Sequence, residues 1–242
     1  MIQGISRTAM VLAAGLGKRM RPITETMPKP LVPVAGKPLI DWGLDALDTV
    51  GIETAVVNVH YLADQMISYL AQRVRPRILI SDERDQLLDS AGGIVKALTL
   101  LEAEPFFVIN ADTFWIDRAT PNLERLALAW DDRELDILLM LSDFESATGH
   151  GDKADFVMHG NGRLRRAKPG EAGFIYAGAA IVHPRIFTGT EARPHSLNLY
   201  FDRAIEAGRL YGLPLDGSWI TVGTPDAIGA AEAVVNRLRS TA

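Results

Sequence analysis

Cysteine is absent from the 242 residues, which removes disulfides, thiolate metal sites and thiol nucleophiles from consideration at once. Positive charge is not in excess either. With 25 Lys and Arg against 30 Asp and Glu the net charge is -5, so the chain as a whole attracts neither nucleic acid nor an anionic membrane. Any phosphate it binds must be met by a local basic cluster, and the expected partner is a small molecule. No apolar run approaches the roughly 18 residues that cross a bilayer, and the N-terminal residues show no basic region followed by a sustained apolar stretch. The expected location is the cytoplasm, as a monomer or small homo-oligomer. His60, His150, His159, His183 and His195 never fall at a ligand spacing such as His-x-x-x-His, so each reads as structural or exposed. There is no internal repeat and no low-complexity linker, which predicts a single domain over residues 1–242.

Against these absences stands a regular alternation. The apolar stretch Thr8 to Ala14 is too short for a buried helix and ends in glycines, the pattern of a buried strand delivering its C-terminal end to a loop. After a proline-rich segment, Ile40, Leu44, Leu47 and Val50 follow helical spacing, with Gly51 as the stop. Strands at 54–59, 77–81 and 106–109 then alternate with helices at 62–72 and 92–101, which predicts a three-layer α/β fold around a largely parallel sheet. A helix at 122–130 leads to a strand at 136–141. Beyond it the polar-interrupted segment around His159-Gly160-Asn161-Gly162 signals a hairpin and antiparallel strands joining the sheet. Further strands are expected at 174–182, 211–215 and 219–222, with a helix at 198–208. Thr224, Pro225 and Asp226 suit the start of a final helix as N-cap, first residue and first-turn acid.

The first strand runs into Ala13-Ala14-Gly15-Leu16-Gly17-Lys18-Arg19-Met20. Glycines there let the backbone approach a phosphate or base, and exposed amides bind anions without side chains. This is no Walker A loop, because no Gly-Lys-Ser/Thr follows, and the third glycine of a dinucleotide fingerprint is missing where Met20 stands. Lys18, Arg19 and Arg21 follow at once, and Lys29 lies between Pro28 and Pro30, which stiffen that segment. So many cations within a short stretch suit a triphosphate; an exposed basic loop would carry the same charges.

Gly15-Leu16-Gly17-Lys18-Arg19-Met20-Arg21-Pro22-Ile23-Thr24, taken with Met27-Pro28-Lys29-Pro30-Leu31, resembles the signature of the sugar-1-phosphate nucleotidylyltransferases. The resemblance implies a Rossmann-like nucleotidyltransferase fold with an added antiparallel sugar-binding part. Residues 1–112 would form the nucleotide half and 113–242 the sugar-phosphate half. It implies that Ala13, Ala14, Gly15, Gly17 and Lys18 hold base and phosphates, that Arg19 neutralises the departing pyrophosphate, and that Lys29 contacts the transferring phosphates. Ser90-Ala91-Gly92-Gly93-Ile94-Val95-Lys96-Ala97 resembles the family's second nucleotide loop, placing Gly92 and Gly93 under the base with Glu83 at the preceding strand end helping to select it. Glycines easing helix–sheet packing are the other reading.

Asn110-Ala111-Asp112 ends a strand. A carboxylate at the mouth of a sheet beside a triphosphate can hold Mg2+, although an Asp there is as readily a turn former. The match to the family's Gly-Asp motif, with Ala111 in place of the glycine, assigns Asp112 to the metal and Asn110 to the nucleotide. Lys168-Pro169 and Tyr176-Ala177-Gly178 resemble sugar-site motifs, so Lys168, Tyr176 and Gly178 are the sugar-phosphate candidates. Ala167 stands where an acid often contacts the sugar, and Gly178 within an apolar strand suggests close approach by a ligand. Phe114 and Trp115 could wall the sugar or pack in the core. The departure lies in Trp219-Ile220-Thr221-Val222-Gly223-Thr224, where Thr221 replaces the family's second metal-binding aspartate. A hydroxyl brings no charge to Mg2+.

The resemblance implies in-line attack of a sugar-phosphate oxygen on the α-phosphorus, with catalysis by Arg19, Lys29 and Asp112. Within the family the short chain points to UTP and N-acetylmuramate 1-phosphate, with GTP and mannose 1-phosphate as the alternative pair. A nucleotide-sugar-binding regulatory protein that lost turnover through Thr221 is the reading from another class.

Overall fold

The structure is a computed structural model and describes residues 4–240. The chain begins with β1 (Thr8–Leu12), followed by three short 3-10 turns and the two-residue strands β2 (Pro33–Val34) and β3 (Lys37–Pro38). Helix α1 (Leu39–Thr49), β4 (Thr54–Val59), α2 (Ala63–Leu70), β5 (Arg77–Asp82), α3 (Asp89–Ala97) and β6 (Phe106–Asn110) form the expected strand–helix series. β7 (Thr113–Asp117), α4 (Asn122–Ala129), β8 (Ile137–Ser142) and β9 (Ala147–Thr148) come next. They lead to β10 (Phe156–Met158), β11 (Leu164–Arg166), β12 (Ile175–Val182) and α5 (Asn198–Glu206). β13 (Leu210–Pro214), β14 (Gly217–Thr221) and α6 (Asp226–Ser240) complete the order.

The central sheet has the order β13-β8-β12-β6-β1-β4-β5. β1 pairs in parallel with both β4 and β6, β4 with β5, and β13 with β8, while β12 runs antiparallel to β6 and β8. Successive residues of β1 face opposite layers: Ala9 and Val11 join the cluster that buries α1, α2 and α4, and Met10 joins the one that buries α3 and α5. In β4, Ala55, Val57 and Val59 take the first side and Val56 the second. This period of two, buried on both faces, is why the strands read as continuous apolar runs. Burying one such Val or Met contributes roughly 1.5–3 kcal/mol, so the base of the loop after β1 is firmly anchored.

The chain passes from β1 outward to β4 and β5, then returns across to place β6 on the other side of β1. Strand order thus reverses between β1 and β6, the point where open α/β sheets leave a crevice beyond the carboxyl ends of their strands. The two ends are tied by the Ala111 N–H donating to the Leu12 carbonyl (3.0 Å).

Two features differ from the sequence reading. The hairpin at His159–Gly162 forms as expected, with His159 donating to the Arg163 carbonyl and Gly162 to that of His159 (both 2.9 Å), but β10 and β11 make a separate two-stranded sheet. The reversed strand of the central sheet is β12. Phe114 and Trp115 belong to β7, which pairs antiparallel with β14 in a three-stranded sheet. Both are buried, Phe114 stacked on Trp42 with ring centres 4.4 Å apart, so they pack the core and wall no ligand.

Candidate active site

The crevice between the ends of β1 and β6 opens into a cleft of about 530 Å3 bordered by Ala13, Ala14, Gly15, Lys29, Asn110 and Asp112. Gly17 adopts a left-handed conformation (φ 60°) and turns the chain into the 3-10 segment Lys18–Met20. A Cβ on Gly17 would lie 3.0 Å from Thr24 Cγ2 and 3.1 Å from Lys29 Cβ, so the loop is packed directly against the segment that carries Lys29. Gly17→Ala is expected to cost about 1–2 kcal/mol in denaturant unfolding, from left-handed strain and crowding; a loss under about 0.3 kcal/mol would contradict this packing.

Lys29 is buried, and its Nζ donates to Asp112 Oδ2 at 2.7 Å. The side chain of Asp112 remains 40% exposed. The two prolines around Lys29 and the end of β6 therefore deliver one cation and one carboxylate to the same wall of the cleft. Lys18, Arg19 and Arg21 are exposed. The Arg19 guanidinium stands by Gly223, its Nη1 3.5 Å from where a Cβ would sit. That places Arg19 two residues past Thr221.

Thr221 is aligned with Thr113 across β14 and β7, and the next N–H, of Val222, donates to the Asp112 carbonyl at 3.3 Å. Thr221 and Asp112 are thus adjacent in the fold. The two acids nearest in sequence to Thr221 are Asp216 and Asp226, the latter exposed at the first residue of α6. Asp216 lies just before β14, at the end opposite Thr221, and is engaged with Asn122 and Arg118; among the described residues no group of three or more His, Cys, Asp or Glu is placed to hold a metal ion.

Glu83 and the paired glycines have a different location from the one the sequence suggests. Glu83 is fully buried. Its Oε1 accepts from Asn58 Nδ2 (2.7 Å) and its Oε2 from the Leu88 N–H (3.0 Å). Asn58 Oδ1 in turn accepts from the Ala13 N–H at 2.7 Å. The carboxylate is a bracket behind the loop and presents no oxygen to a base. A Cβ on Gly93 would fall 2.6 Å from Glu83 Oε1, and one on Gly92 would fall 2.2 Å from the Arg193 carbonyl oxygen. Both glycines answer to packing. The turn before α3 and the helix's first residues present Leu87, Asp89 and Ser90 to the cleft instead, together with Asn58 and, from the loop before α5, Pro194. Of these, Asn58 had a signal in the sequence, a polar residue at the C-terminal end of an otherwise apolar strand; Pro194 had none.

On the other side of Asn110 lies a smaller hollow of about 240 Å3 that shares Leu12, Ser90 and Asn110 with the cleft. Tyr176 borders it, and its phenol oxygen is buried with no protein partner among the described residues. Burial and the nearby Asp112 carboxylate push that phenol well above its ordinary value. Gly178 has φ +77° at the bulge where the β12–β8 register shifts. The group that approaches it closely is Thr113 Oγ1, 2.3 Å from where a Cβ would sit. Lys168 is exposed in the loop before β12, where its backbone N–H donates to Glu171 Oε2 (2.9 Å). It borders neither cavity.

A doubly wound α/β sheet whose switch point carries a glycine loop, a buried lysine and a strand-end aspartate defines a nucleotide-binding protein with provision for polyphosphate. The Nucleotidyl transferase family profile matches residues 8–155. The chain belongs to that family. It is 45% identical over 232 residues to the N-acetylmuramate alpha-1-phosphate uridylyltransferase of Caulobacter vibrioides, covering 94% of this chain and 96% of that one. It is 33% identical to the enzyme of the same name from Neisseria meningitidis, covering 93% and 97%. A probable mannose-1-phosphate guanylyltransferase of Arabidopsis thaliana is more distant, at 27% identity over 96% of this chain and 66% of its own length. Among solved structures, HddC from Yersinia pseudotuberculosis in complex with GMP-PN shares the fold with a TM-score of 0.76 and 22% identity, covering 94% of this chain and 99% of that one.

Proposed function

We propose that the chain transfers a uridylyl group from UTP to N-acetylmuramate 1-phosphate, releasing pyrophosphate and forming a UDP-sugar. The observation that carries this reading is the meeting of Lys29 and Asp112 at 2.7 Å on the wall of a cleft floored by Ala13–Gly15. The two uridylyltransferases, similar over nearly their whole length, support this substrate pair over GTP and mannose 1-phosphate.

The chemistry follows from what the cleft contains. Ala13, Ala14 and Gly15 bring backbone close to the nucleotide, with Asn110 on the border shared with the smaller hollow, while Gly17 turns the loop and Lys18 follows it, exposed, beyond the cleft border. An oxygen of the sugar phosphate bonds to the α-phosphorus, and the bond from that phosphorus to the β-phosphate bridging oxygen breaks in line with it. The attacking phosphate is already an anion and needs no general base. This agrees with the absence of any histidine from the cleft border. Lys29 offsets charge on the transferring phosphate, and Arg19, beside Gly223, offsets it on the departing pyrophosphate.

Mg2+ takes one or two carboxylates and completes its shell with phosphate oxygens and water. Asp112 fits that donor set, since Lys29 engages its Oδ2 alone, and Thr221 is its neighbour through the β14–β7 pairing. Bound there, the ion would supply further positive charge for the phosphates. Tyr176, on the smaller hollow, is the sugar-side candidate this reading uses, and Lys168, away from both cavities, is a sugar-phosphate candidate on the motif alone. We assign residues 1–112 to nucleotide binding and 113–242 to sugar-phosphate binding within one unit, acting in the cytoplasm in peptidoglycan recycling. No helix among the described residues is long and apolar enough to cross a membrane.

Thr221 favours one second reading, a nucleotide-sugar-binding protein without turnover. Incubation with each triphosphate, Mg2+ and a panel of sugar 1-phosphates separates the two. Pyrophosphate release is expected to be fastest with UTP and N-acetylmuramate 1-phosphate. Binding without release for every pair would overturn the enzyme, and faster release with GTP and mannose 1-phosphate would overturn the substrate.

A further inference from the structure

We infer that Arg166 is a specificity determinant that recognises a carboxylate on the sugar, at a position away from the reacting phosphate. This deepens the function proposed above and rests on it. Arg166 closes β11 and borders the smaller hollow together with Asp155, Tyr176 and Asn198. Neither Lys29 nor Asp112 borders that hollow, so phosphate chemistry belongs to the larger cleft, and what reaches Arg166 is another part of the sugar.

The guanidinium is held by hydrogen bonds and by two aromatic neighbours. It lies 4.7 Å over the ring of Phe156 and 5.8 Å from that of Phe201. Its Nε donates to Asp202 Oδ1 (2.7 Å), and its Nη2 donates to Asn198 Oδ1 (2.8 Å) and more weakly to the Asn198 carbonyl (3.3 Å). Its Nη1 donates to no protein atom among the described residues. A guanidinium set over an aromatic ring and braced through Nε and Nη2 leaves its Nη1 donors to meet an anion. The side chain remains 37% exposed, so a ligand in the hollow it borders can reach it.

The other charged group on the hollow is Asp155, whose Oδ2 accepts from the Tyr176 N–H at 2.9 Å. Asp155 suits a donor, such as a sugar hydroxyl or an acetamido N–H, and Arg166 suits an acceptor. N-acetylmuramate offers both: its acetamido group donates, and its lactyl ether ends in a carboxylate. N-acetylglucosamine carries a hydroxyl in place of that ether, so the pair isolates the lactyl group, and Arg166→Met against Arg166→Lys reports on its charge.

The test compares wild type, Arg166→Met and Arg166→Lys with UTP and either N-acetylmuramate 1-phosphate or N-acetylglucosamine 1-phosphate. Calorimetric binding of the two corresponding UDP-sugars is measured alongside. The wild type should favour the muramate compound, and the ratio of kcat/KM values, or of Kd values, should fall at least about tenfold in Arg166→Met. Arg166→Lys, which keeps a cation beside Asp202, should retain part of the preference. An equal loss on both sugars, with the ratio unmoved, would make Arg166 a structural brace and overturn the inference, as would a wild type without preference. Failure of the underlying enzyme reading would appear differently, as no pyrophosphate from any pair. The binding ratio then still decides for or against Arg166.

Discussion

Replacing Asp112 by asparagine is expected to lower kcat about 100- to 1000-fold, the usual cost of removing one pre-organised charge from a transition state, while the fold stays intact. The side chain is 40% exposed and carries no core packing. The structural bond at this position, from the Val222 N–H, goes to the backbone carbonyl, which the substitution leaves in place. Unfolding free energy should fall by about 1–2 kcal/mol, because the buried Lys29 ammonium keeps an acceptor but loses its counter-charge. Asparagine is isosteric and its Oδ1 can still accept from Lys29, so what is lost is charge. A variant that kept the full rate would remove Asp112 from the mechanism.

Lys29 and Asp112 form one unit, and their effects should not add. Lys29→Met alone removes the cation and leaves Asp112 without its partner. Once either is gone, the second substitution should cost much less than it does alone, because groups in contact couple. Equal, independent losses would mean that the 2.7 Å pair is incidental to turnover. Thr221 sharpens the expectation. Where a second metal-binding acid is expected this chain has a hydroxyl, so the proposed metal role rests on Asp112.

How much of this could be read beforehand depended on how local the cause was. β1 and β4 were legible because both faces of each strand are buried, and the loop from Ala13 to Lys29 because glycine and proline restrict the backbone wherever they occur. β7 was not. Its alternation, Thr113 to Asp117, is five residues long and is fixed by pairing with β14, a hundred residues later. Gly92 and Gly93 looked like a ligand loop because a glycine pair in sequence does not reveal whether backbone, side chain or substrate fills the space before it. Here a carbonyl of residue 193 and the Glu83 carboxylate fill it. Lys168 carries a motif, but the loop it sits on is held away by the Arg165–Glu171 pair, at 2.6 and 2.8 Å. No local pattern encodes where such a loop rests.

The same distinction gives Glu83 its importance, and truncating it to alanine should produce a large stability loss. Two buried donors, Asn58 Nδ2 and the Leu88 N–H, point at its oxygens. Each unsatisfied donor costs about 1–3 kcal/mol, and the vacated volume adds to this, so the expected loss is about 3–6 kcal/mol by denaturant titration. That approaches the whole stability of a marginal protein. Glutamine does not rescue it fully: its amide offers a single acceptor oxygen to two donors, so one donor must face an NH2 group. Asn58 cannot flip to relieve the clash, because its Oδ1 is already taken by the Ala13 N–H. The consequence for function follows along that bond. Ala13 begins the loop that floors the cleft, and a displacement near 1 Å at a reacting site costs up to about 100-fold, so Glu83→Gln should raise KM for UTP about tenfold even where it folds. Stability lost with KM for UTP unchanged would show that Asn58 does not aim the loop. A loss under about 1 kcal/mol in Glu83→Ala would show that the bracket is not the support of the nucleotide site.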